Sequence, residues 1–245
     1  MNTTIKFTTA TVILALGMVV SAGVLSKFFV RVKHEKPITV KGYAERDIAS
    51  DIGSFACTCR VRGASLQEAY AKLQDSRNRV LDYLKRQGFG AAEIRPEIMD
   101  TLRINKRNEK GVELNETEFF DAHQTIGVTS TNVALIRDAA LGTTDLIKDG
   151  LDLVVSPPEF LVSDLKDVKV QLLAKATEDG YRRAQALAAN SRAKVGALVA
   201  AEQGVLQITR PHSTDTSGGG MYDTSTIEKT AKAVVTLEYT IMPND

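Results

Sequence analysis

The body of the chain opens with two stretches in which apolar and polar residues alternate. Residues 38–44 (ITVKGYA) and 55–61 (FACTCRV) have this pattern, and Ala49-Ser50-Asp51 between them is typical of a turn. Successive side chains of a β-strand point to opposite faces, so the alternation indicates strands with one buried face. We therefore predict that the two stretches form a β-hairpin.

An apolar stripe with helical spacing follows from Ser65. Glu68 lies three residues after Ser65, which is the spacing of a capping box at a helix N-terminus. Lys85 and Arg86 favour the negative end of the helix dipole, and Gly88 suits the position just after the last turn. These residues predict a first helix between Ser65 and Gly88.

The same spacing predicts two further helices. One extends from Asn132 to Lys148, and a longer, alanine-rich one extends from about Leu165 to Ala193. Gly180 lies inside the longer helix, where glycine costs about 1 kcal/mol relative to alanine. It indicates either close packing at this point or no special role.

Alternation returns in several later segments, which complete the predicted order of elements, ββα-ββα-βα-ββ. These strands are residues 94–106 and 117–130, joined as a hairpin around 108–111, a short strand at 160–162, and strands at 195–209 and 231–241. Hairpins imply antiparallel pairing, and amphipathic helices need an apolar sheet face to cover. We predict an α+β fold with a mainly antiparallel sheet and the amphipathic helices on one face.

The N-terminal segment predicts one transmembrane helix ahead of this fold. Residues 8–26 contain no charge, and at a rise of about 1.5 Å per residue they approach the roughly 30 Å thickness of bilayer hydrocarbon. Aromatic and basic residues follow at 27–33, as is typical of a membrane interface. We predict an anchor at residues 1–33 and one domain at 34–245. The predicted anchor residues are Thr8, Val12, Leu14, Leu16, Val19, Val20, Val24, Leu25, Phe28 and Phe29.

Cleavage and orientation of this segment stay open at this point. A cleavable signal peptide would end at Val20-Ser21-Ala22, but signal-peptide apolar cores are usually shorter, which favours an uncleaved anchor. Lys6 favours a cytoplasmic N-terminus, whereas the basic residues that follow the apolar run favour a cytoplasmic body.

The charge distribution argues against nucleic-acid binding. The chain has 31 basic and 30 acidic residues, and its first 34 residues hold four of the basic and none of the acidic ones. The remaining body is therefore slightly acidic, whereas nucleic-acid affinity comes mainly from Lys and Arg that neutralise phosphates. The basic residues near the N-terminus suit contact with lipid headgroups.

Few residues have a pattern that indicates catalytic or metal-binding chemistry. The three histidines, His34, His123 and His212, form no H-x-x-x-H motif and no C-x-x-C motif occurs, so neither a metal nor a cofactor is expected. His212, Ser213 and Asp215 lie in one loop without the strand-turn-helix setting of a hydrolase nucleophile. We predict a protein that is not an enzyme.

Two other features are candidate interaction and redox sites. The polar loop at 211–225 is longer than most connections, and we predict that it contacts a partner through Ser213, Thr214, Gly219, Tyr222 and Asp223. Cys57 and Cys59 lie two residues apart on one strand face, a spacing that rarely closes a disulfide. They are either small buried residues or, if exposed, an oxidation-prone pair of thiols.

Three blocks of the sequence resemble the SIMPL family. The opening residues 38–46 (ITVKGYAER) are similar to the start of SIMPL domains, and the alanine-rich third helix followed by Lys194-Val195-Gly196 resembles a second signature of the family. The closing block resembles its membrane-anchored bacterial branch more specifically. This block comprises residues 204–209 (GVLQIT), 213–214, 222–227 (YDTSTI) and Lys229, and the whole resemblance covers about residues 37–243.

The resemblance implies a function in the bacterial cell envelope. Bacterial members of the family are periplasmic or envelope proteins, among them an immunogenic antigen; some are linked to oxidative-stress tolerance, and one resembles a ring- or channel-like homo-oligomer. We therefore expect a single-pass protein of the inner membrane that assembles with itself, has its body in the periplasm and brings no catalytic motif. The alternatives are a cytoplasmic body, and a redox or ligand-binding stress protein that uses Cys57 and Cys59.

Overall fold

The computed structural model of the chain describes residues 37–243, together with Gly17, Met18, Ser21 and Ala22. The predicted anchor residues, of which Thr8 is the first and Phe29 the last, all lie outside the described residues. In the described part of the chain, no helix is both long enough and apolar enough to span a membrane.

Helices and strands alternate irregularly along residues 37–243. The helices are α1 (Leu66–Gln87), α2 (Val133–Thr143), which continues directly into a 3-10 helix (Thr144–Ile147), and α3 (Lys166–Asn190). The strands are β1 (Ile38–Ala49), β2 (Ile52–Gly63), β3 (Ile94–Pro96), β4 (Asp100–Arg107), β5 (Glu113–Ser130), β6 (Asp152–Val155), β7 (Glu159–Leu161), β8 (Ala193–Gln203), β9 (Gln207–Thr209), β10 (Met221–Tyr222) and β11 (Glu228–Pro243).

The chain divides into two compact units. The first contains β1 as far as Ala44, then Val170–Val205 with most of α3 and all of β8, and the part of β11 that begins at Ala233. The second contains Glu45–Lys169 and Leu206–Lys232.

A six-stranded antiparallel sheet is the centre of the second unit. β2 and β5 pair from Gly53 opposite Ser130 to Gly63 opposite Phe120. β3 and β4 pair with β5, while β6 and β7 pair with β2. The predicted hairpin around residues 108–111 is confirmed as β4 and β5, although β3 is a separate strand.

Local sequence explains both ends of α1. The Glu68 amide donates to Ser65 Oγ at 3.2 Å, and the Glu68 carboxylate accepts a hydrogen bond from the Ala64 amide at 2.9 Å. Gly88 ends the helix with a φ of 106°, in the left-handed region that favours glycine. The predicted capping box and the predicted helix end are confirmed.

Helices α1 and α2 cover one face of the six-stranded sheet. Alternate residues of β2 and β5 point towards the helices, because side chains at spacing two share a strand face. The resulting core contains Phe55, Cys57, Cys59, Ala122, Ile126 and Val128 of the sheet with Ala69, Leu73, Val80, Leu84, Ile136 and Ala139 of the helices. The predicted placement of helices on one face of an antiparallel sheet fits this unit.

In the first unit, α3 lies unusually close to β1 and β11. A Cβ atom built on Gly42 of β1 would lie 1.9 Å from the Ala176 carbonyl oxygen, and one built on Gly180 would lie 2.7 Å from Leu237 Cδ1. Of the two interpretations of Gly180 that the sequence left open, close packing in the middle of the helix is therefore the correct one.

The remaining strands form a second sheet. Its order is β1-β11-β9-β10, and β8 also pairs with β11. β8 and β9 run antiparallel to β11, whereas β10 runs parallel to β9. The predicted α+β class is thus right, but the strands form two sheets rather than one.

The predicted hairpin between residues 38–44 and 55–61 is wrong. β1 pairs with β11 and β2 pairs with β5, so the two strands belong to different sheets. Distant residues hold their connection, because the Ser50 amide donates to the Ile227 carbonyl at 2.8 Å and the Asp51 amide donates to the Leu161 carbonyl at 3.0 Å.

Other element boundaries also differ from the prediction. The second α-helix ends at Thr143 rather than at Lys148. The strand predicted at 195–209 is interrupted at Gly204, whose amide donates to the Val234 carbonyl at 2.9 Å, and this separates β8 from β9. The short strands β6 and β10 form in segments where the sequence pattern predicts none.

Candidate functional site

The loop at 211–225, in which partner contact is predicted, has an exposed part and a fixed part. Thr214 and Gly219 are exposed, and nothing lies within 4 Å of a Cβ atom built on Gly219. Tyr222, in contrast, belongs to β10, and the Thr224 carbonyl accepts a hydrogen bond from the Phe160 amide at 2.7 Å. Residues 214–219 of the loop are therefore exposed, while its C-terminal end is held within the second unit.

Tyr222 and Asp223 make the contacts that hold this end. Tyr222 Oη accepts a hydrogen bond from the Val162 amide at 2.7 Å. The Asp223 carboxylate accepts from the amide and the hydroxyl of Ser225 at 2.8 and 2.7 Å. Burial alone raises the pKa of Asp223, but the Ser225 hydrogen bonds and nearby positive charges lower it overall. The two side chains thus have structural partners of their own.

A buried lysine supports the same segment. Lys229 of β11 has no exposed surface, and its Nζ donates to the Asp223 carbonyl. Burial lowers the pKa of Lys229, and the charge of Asp223 acts in the opposite direction. Lys229 lies on the inward face of β11 together with Ala231 and Ala233. Because side chains two residues apart share a strand face, the sequence pattern already indicated that Lys229 is buried.

Ser213 is oriented by an acid next to it in the chain. Its Oγ donates to the Asp215 carboxylate at 2.9 Å, and the Asp215 amide donates back to Ser213 Oγ at 3.1 Å. Lys232 Nζ donates to the Ser213 carbonyl. Among the hydrogen bonds of the described residues, none joins His212 to Ser213. Residues 210–215 surround an open polar hollow of about 450 Å³ at the surface.

Cys57 and Cys59 lie in the core of the six-stranded sheet. Their exposed fractions are 1% and 0%, and both are free thiols. A hydrogen bond between the two side chains, together with burial, raises the pKa of Cys57. Reactive cysteines are partly exposed and carry a stabilised thiolate. Cys57 and Cys59 therefore have the environment of small buried core residues.

His123 has an ordinary acidic neighbour. Its Nε2 lies 3.6 Å from the Asp100 carboxylate on the adjacent strand. Within the described residues, no three His, Cys, Asp or Glu side chains come close enough together to hold a metal ion.

The side chain of Arg77, which the sequence analysis did not single out, lines a small hollow beside α1. The volume of the hollow is about 100 Å³, and it is lined by Tyr70, Leu73, Gln74, Arg77, Met99 and Gln124. Arg77 Nε is buried and has no hydrogen-bond partner among the described residues. Arg77 lies between Leu73 and Val80 on the apolar stripe of α1, and an arginine in such a stripe was the available signal.

Strand β8 exposes apolar residues at the edge of its sheet. Every residue from 197 to 203 is exposed, so both faces of the strand are uncovered there. Leu198 and Val199 expose 50% and 57% of their surface. β8 pairs with β11, and no other strand of the described chain pairs with it. We refer to residues 195–201 (VGALVAA) as the β8 edge.

Comparison with known proteins identifies one family. The family model described as "SIMPL: Protein of unknown function (DUF541)" matches residues 38–239, which is most of the chain. A search of the curated proteins found none that matches the chain.

Proposed function

Since the chain belongs to the SIMPL family, we propose that it is a non-enzymatic, membrane-anchored protein of the bacterial cell envelope that assembles into a homo-oligomer. Its role in this proposal is that of a scaffold or interaction protein, with a ring- or channel-like assembly and a link to envelope stress. The resemblance of its closing block to the membrane-anchored bacterial branch supports this reading over a soluble one.

The observation that carries the self-assembly is the β8 edge. A strand at the edge of a sheet presents unpaired amide and carbonyl groups, and natural proteins usually protect such edges with charges, prolines, β-bulges or covering elements. The β8 edge has two register shifts against β11, but it has no charged residue, no proline and, among the described residues, no covering element, and its side chains are largely exposed. A surface of this kind is suited to contact with another protein chain.

The membrane attachment rests on the N-terminal sequence. Residues 8–26 are long enough and apolar enough for one transmembrane helix, and the aromatic and basic residues after them suit the interface. We place the anchor in the inner membrane and the body in the periplasm, as in the bacterial relatives that the closing block resembles. In this proposal the partners are a second copy of the chain and the lipid bilayer, and neither a nucleic acid nor a cofactor takes part.

The location is tested on the full-length protein in bacterial cells. We expect it to remain in the membrane pellet after alkaline carbonate extraction, and its body to be digested by protease added to spheroplasts. The double substitution Val12→Lys/Leu16→Lys, which places two charges in the apolar run, should release the protein from the pellet. Recovery of the unaltered protein in the soluble fraction, or protection of its body in intact spheroplasts, would contradict the proposed location.

The thiol-based alternative is tested by alkylation. Because Cys57 and Cys59 are buried, we expect neither to react with iodoacetamide in the native protein, and both to react after unfolding in guanidinium chloride. A cysteine introduced at the exposed position Val170 is the positive control for reagent access. Rapid native labelling of Cys57 or Cys59 would favour the redox function instead.

A further inference from the structure

The β8 edge is chemically suited to pair with an identical strand. Its seven residues are all apolar or glycine, and two of them are the β-branched Val195 and Val199. The segment therefore contains neither a charge nor a proline that would oppose pairing with a copy of itself. Residues 200–203 pair with β11 in an unbroken register, so their side chains alternate between the two faces, and all four are exposed; neither face of the strand is covered there.

The charges that flank the β8 edge are arranged symmetrically. Lys194 lies four residues before Leu198, and Glu202 lies four residues after it. Both side chains are exposed, and neither has an ion pair among the described residues. If two β8 strands pair antiparallel with Leu198 opposite Leu198, then Lys194 of each copy lies directly opposite Glu202 of the other. Cross-strand pairs of opposite charge stabilise a sheet.

Other pairings of the same strand lack this complementarity. A parallel pairing in register would place Lys194 beside Lys194 and Glu202 beside Glu202, and like charges in such positions are destabilising. An antiparallel pairing shifted by one residue would leave both charges without a direct partner. The two irregularities of the β8–β11 register lie on either side of Leu198, so an axis through Leu198 also relates these irregularities to one another.

We propose that the protein forms two-fold symmetric contacts in which the β8 edges of two copies pair antiparallel, centred on Leu198, with Lys194 opposite Glu202 at both ends. Such a contact is isologous, because the same surface serves both copies. It joins the two sheets of the paired first units into one continuous sheet, and it buries apolar side chains that are exposed in the single chain. This inference rests on the proposed self-assembly and identifies the surface that carries it.

Charge reversal tests the register on the full-length protein in detergent. Lys194→Glu should place two carboxylates opposite each other, and Glu202→Lys should place two ammonium groups opposite each other, in each case at both ends of the contact. We expect each single variant to raise the dissociation constant of the contact about tenfold at low salt, because an attractive pair becomes a repulsive one at both ends of the contact. The double variant Lys194→Glu/Glu202→Lys restores both pairs and should return to the wild-type value.

Disulfide trapping tests the position of the axis. Two cysteines at position 198 would lie on the axis, within the Cα separation that a disulfide requires. Leu198→Cys should therefore form covalent dimers under mild oxidation, whereas Val170→Cys, which is exposed on α3, should not. The native cysteines are buried and contribute no background.

The outcomes separate this contact from self-assembly in general. A monomeric wild-type protein would contradict the proposed function itself. A wild-type oligomer whose mass is unaffected by either charge reversal, and in which Leu198→Cys forms no more dimer than Val170→Cys, would leave self-assembly standing but overturn the β8 contact. Dissociation by both single variants without recovery in the double variant would overturn the proposed register.

Discussion

Gly42 occupies a position where the backbone of α3 leaves no room for a side chain. A Cβ atom there would lie 1.9 Å from the Ala176 carbonyl oxygen and 2.7 Å from the Gly180 amide nitrogen. Both are backbone atoms, so the clash cannot be relieved by a change of rotamer. The absence of a side chain at Gly42 and at Gly180 is what allows α3 to lie on its sheet at this distance.

Substitution of Gly42 by alanine should therefore be strongly destabilising. We expect Gly42→Ala to lower the free energy of unfolding by about 3 kcal/mol, at the upper end of the usual cost of overpacking. Thermal unfolding followed by circular dichroism would measure this loss. Gly218→Ala is the matched control, because nothing lies within 4 Å of a Cβ atom at Gly218, and its effect should stay within about 0.5 kcal/mol. Equal effects of the two substitutions would refute the close approach.

The buried amine of Lys229 should make stability depend on pH. Burial lowers its pKa in the folded protein, whereas in the unfolded chain it titrates near 10.4. Between these two values the unfolded state binds more protons, so the contribution of Lys229 to stability rises with pH. At neutral pH the folded protein bears the cost of the buried charge, and this cost disappears as the pH approaches 10.

Comparison with a residue that does not titrate isolates this effect. We expect the free energy of unfolding of the wild type to increase relative to that of Lys229→Met as the pH is raised from 7 to 10. Denaturant unfolding of both proteins at several pH values gives the difference. A difference that is independent of pH would mean that the amine is not shielded from water in the folded state.

At the scale of single elements, α1 shows how far local sequence determines structure. Ser65, Glu68 and Gly88 predict both of its ends, because capping depends only on hydrogen bonds between residues close in the chain. We expect Ser65→Ala to lower the free energy of unfolding by about 1 kcal/mol, while Ser65→Asp, which retains a capping oxygen, should have little effect. Thermal unfolding again provides the measurement, and equal destabilisation by both substitutions would argue against the capping bond.

The strands show where local sequence stops being sufficient. Alternation locates β1 and β2 correctly, but the partners of each strand lie up to about two hundred residues away in the chain, as the pairing of β1 with β11 shows. The turn between β1 and β2 is held by Ile227 and Leu161, which no local pattern identifies. Strand existence is therefore predictable from this sequence, whereas strand pairing is not.

The candidate sites divide in the same way. The exposure of the loop at residues 214–219 follows from its polar sequence. Strand alternation places Cys57 and Cys59 on one strand face, but only the packing of α1 and α2 shows that this face is buried. The contacts that fix Tyr222 and Asp223 are not local. Tyr222 bonds to Val162, which lies sixty residues earlier in the chain, and the Asp223 carbonyl accepts a hydrogen bond from the buried Lys229. The β8 edge becomes recognisable only when the pairing of β11 is known, because a sequence pattern does not distinguish an edge strand from a central one.

At the scale of the whole molecule, the described chain comprises two units: α1 and α2 pack on the sheet of the second, and most of α3 packs on β1 and β11 in the first. The second unit has its sheet face covered by α1 and α2, and its buried cluster includes Phe55 of β2 with Ile126 and Val128 of β5. The first unit leaves β8 uncovered on both faces. Within the described residues, this contrast is the structural reason for assigning self-assembly to the first unit.

The mass of the full-length protein in detergent tests self-assembly most directly. Light scattering with the detergent contribution subtracted gives the protein mass of the particle, and each chain contributes 26.6 kDa. We expect a discrete particle containing an even number of chains, since every β8 contact joins two copies. A particle of one chain at micromolar concentration would contradict it.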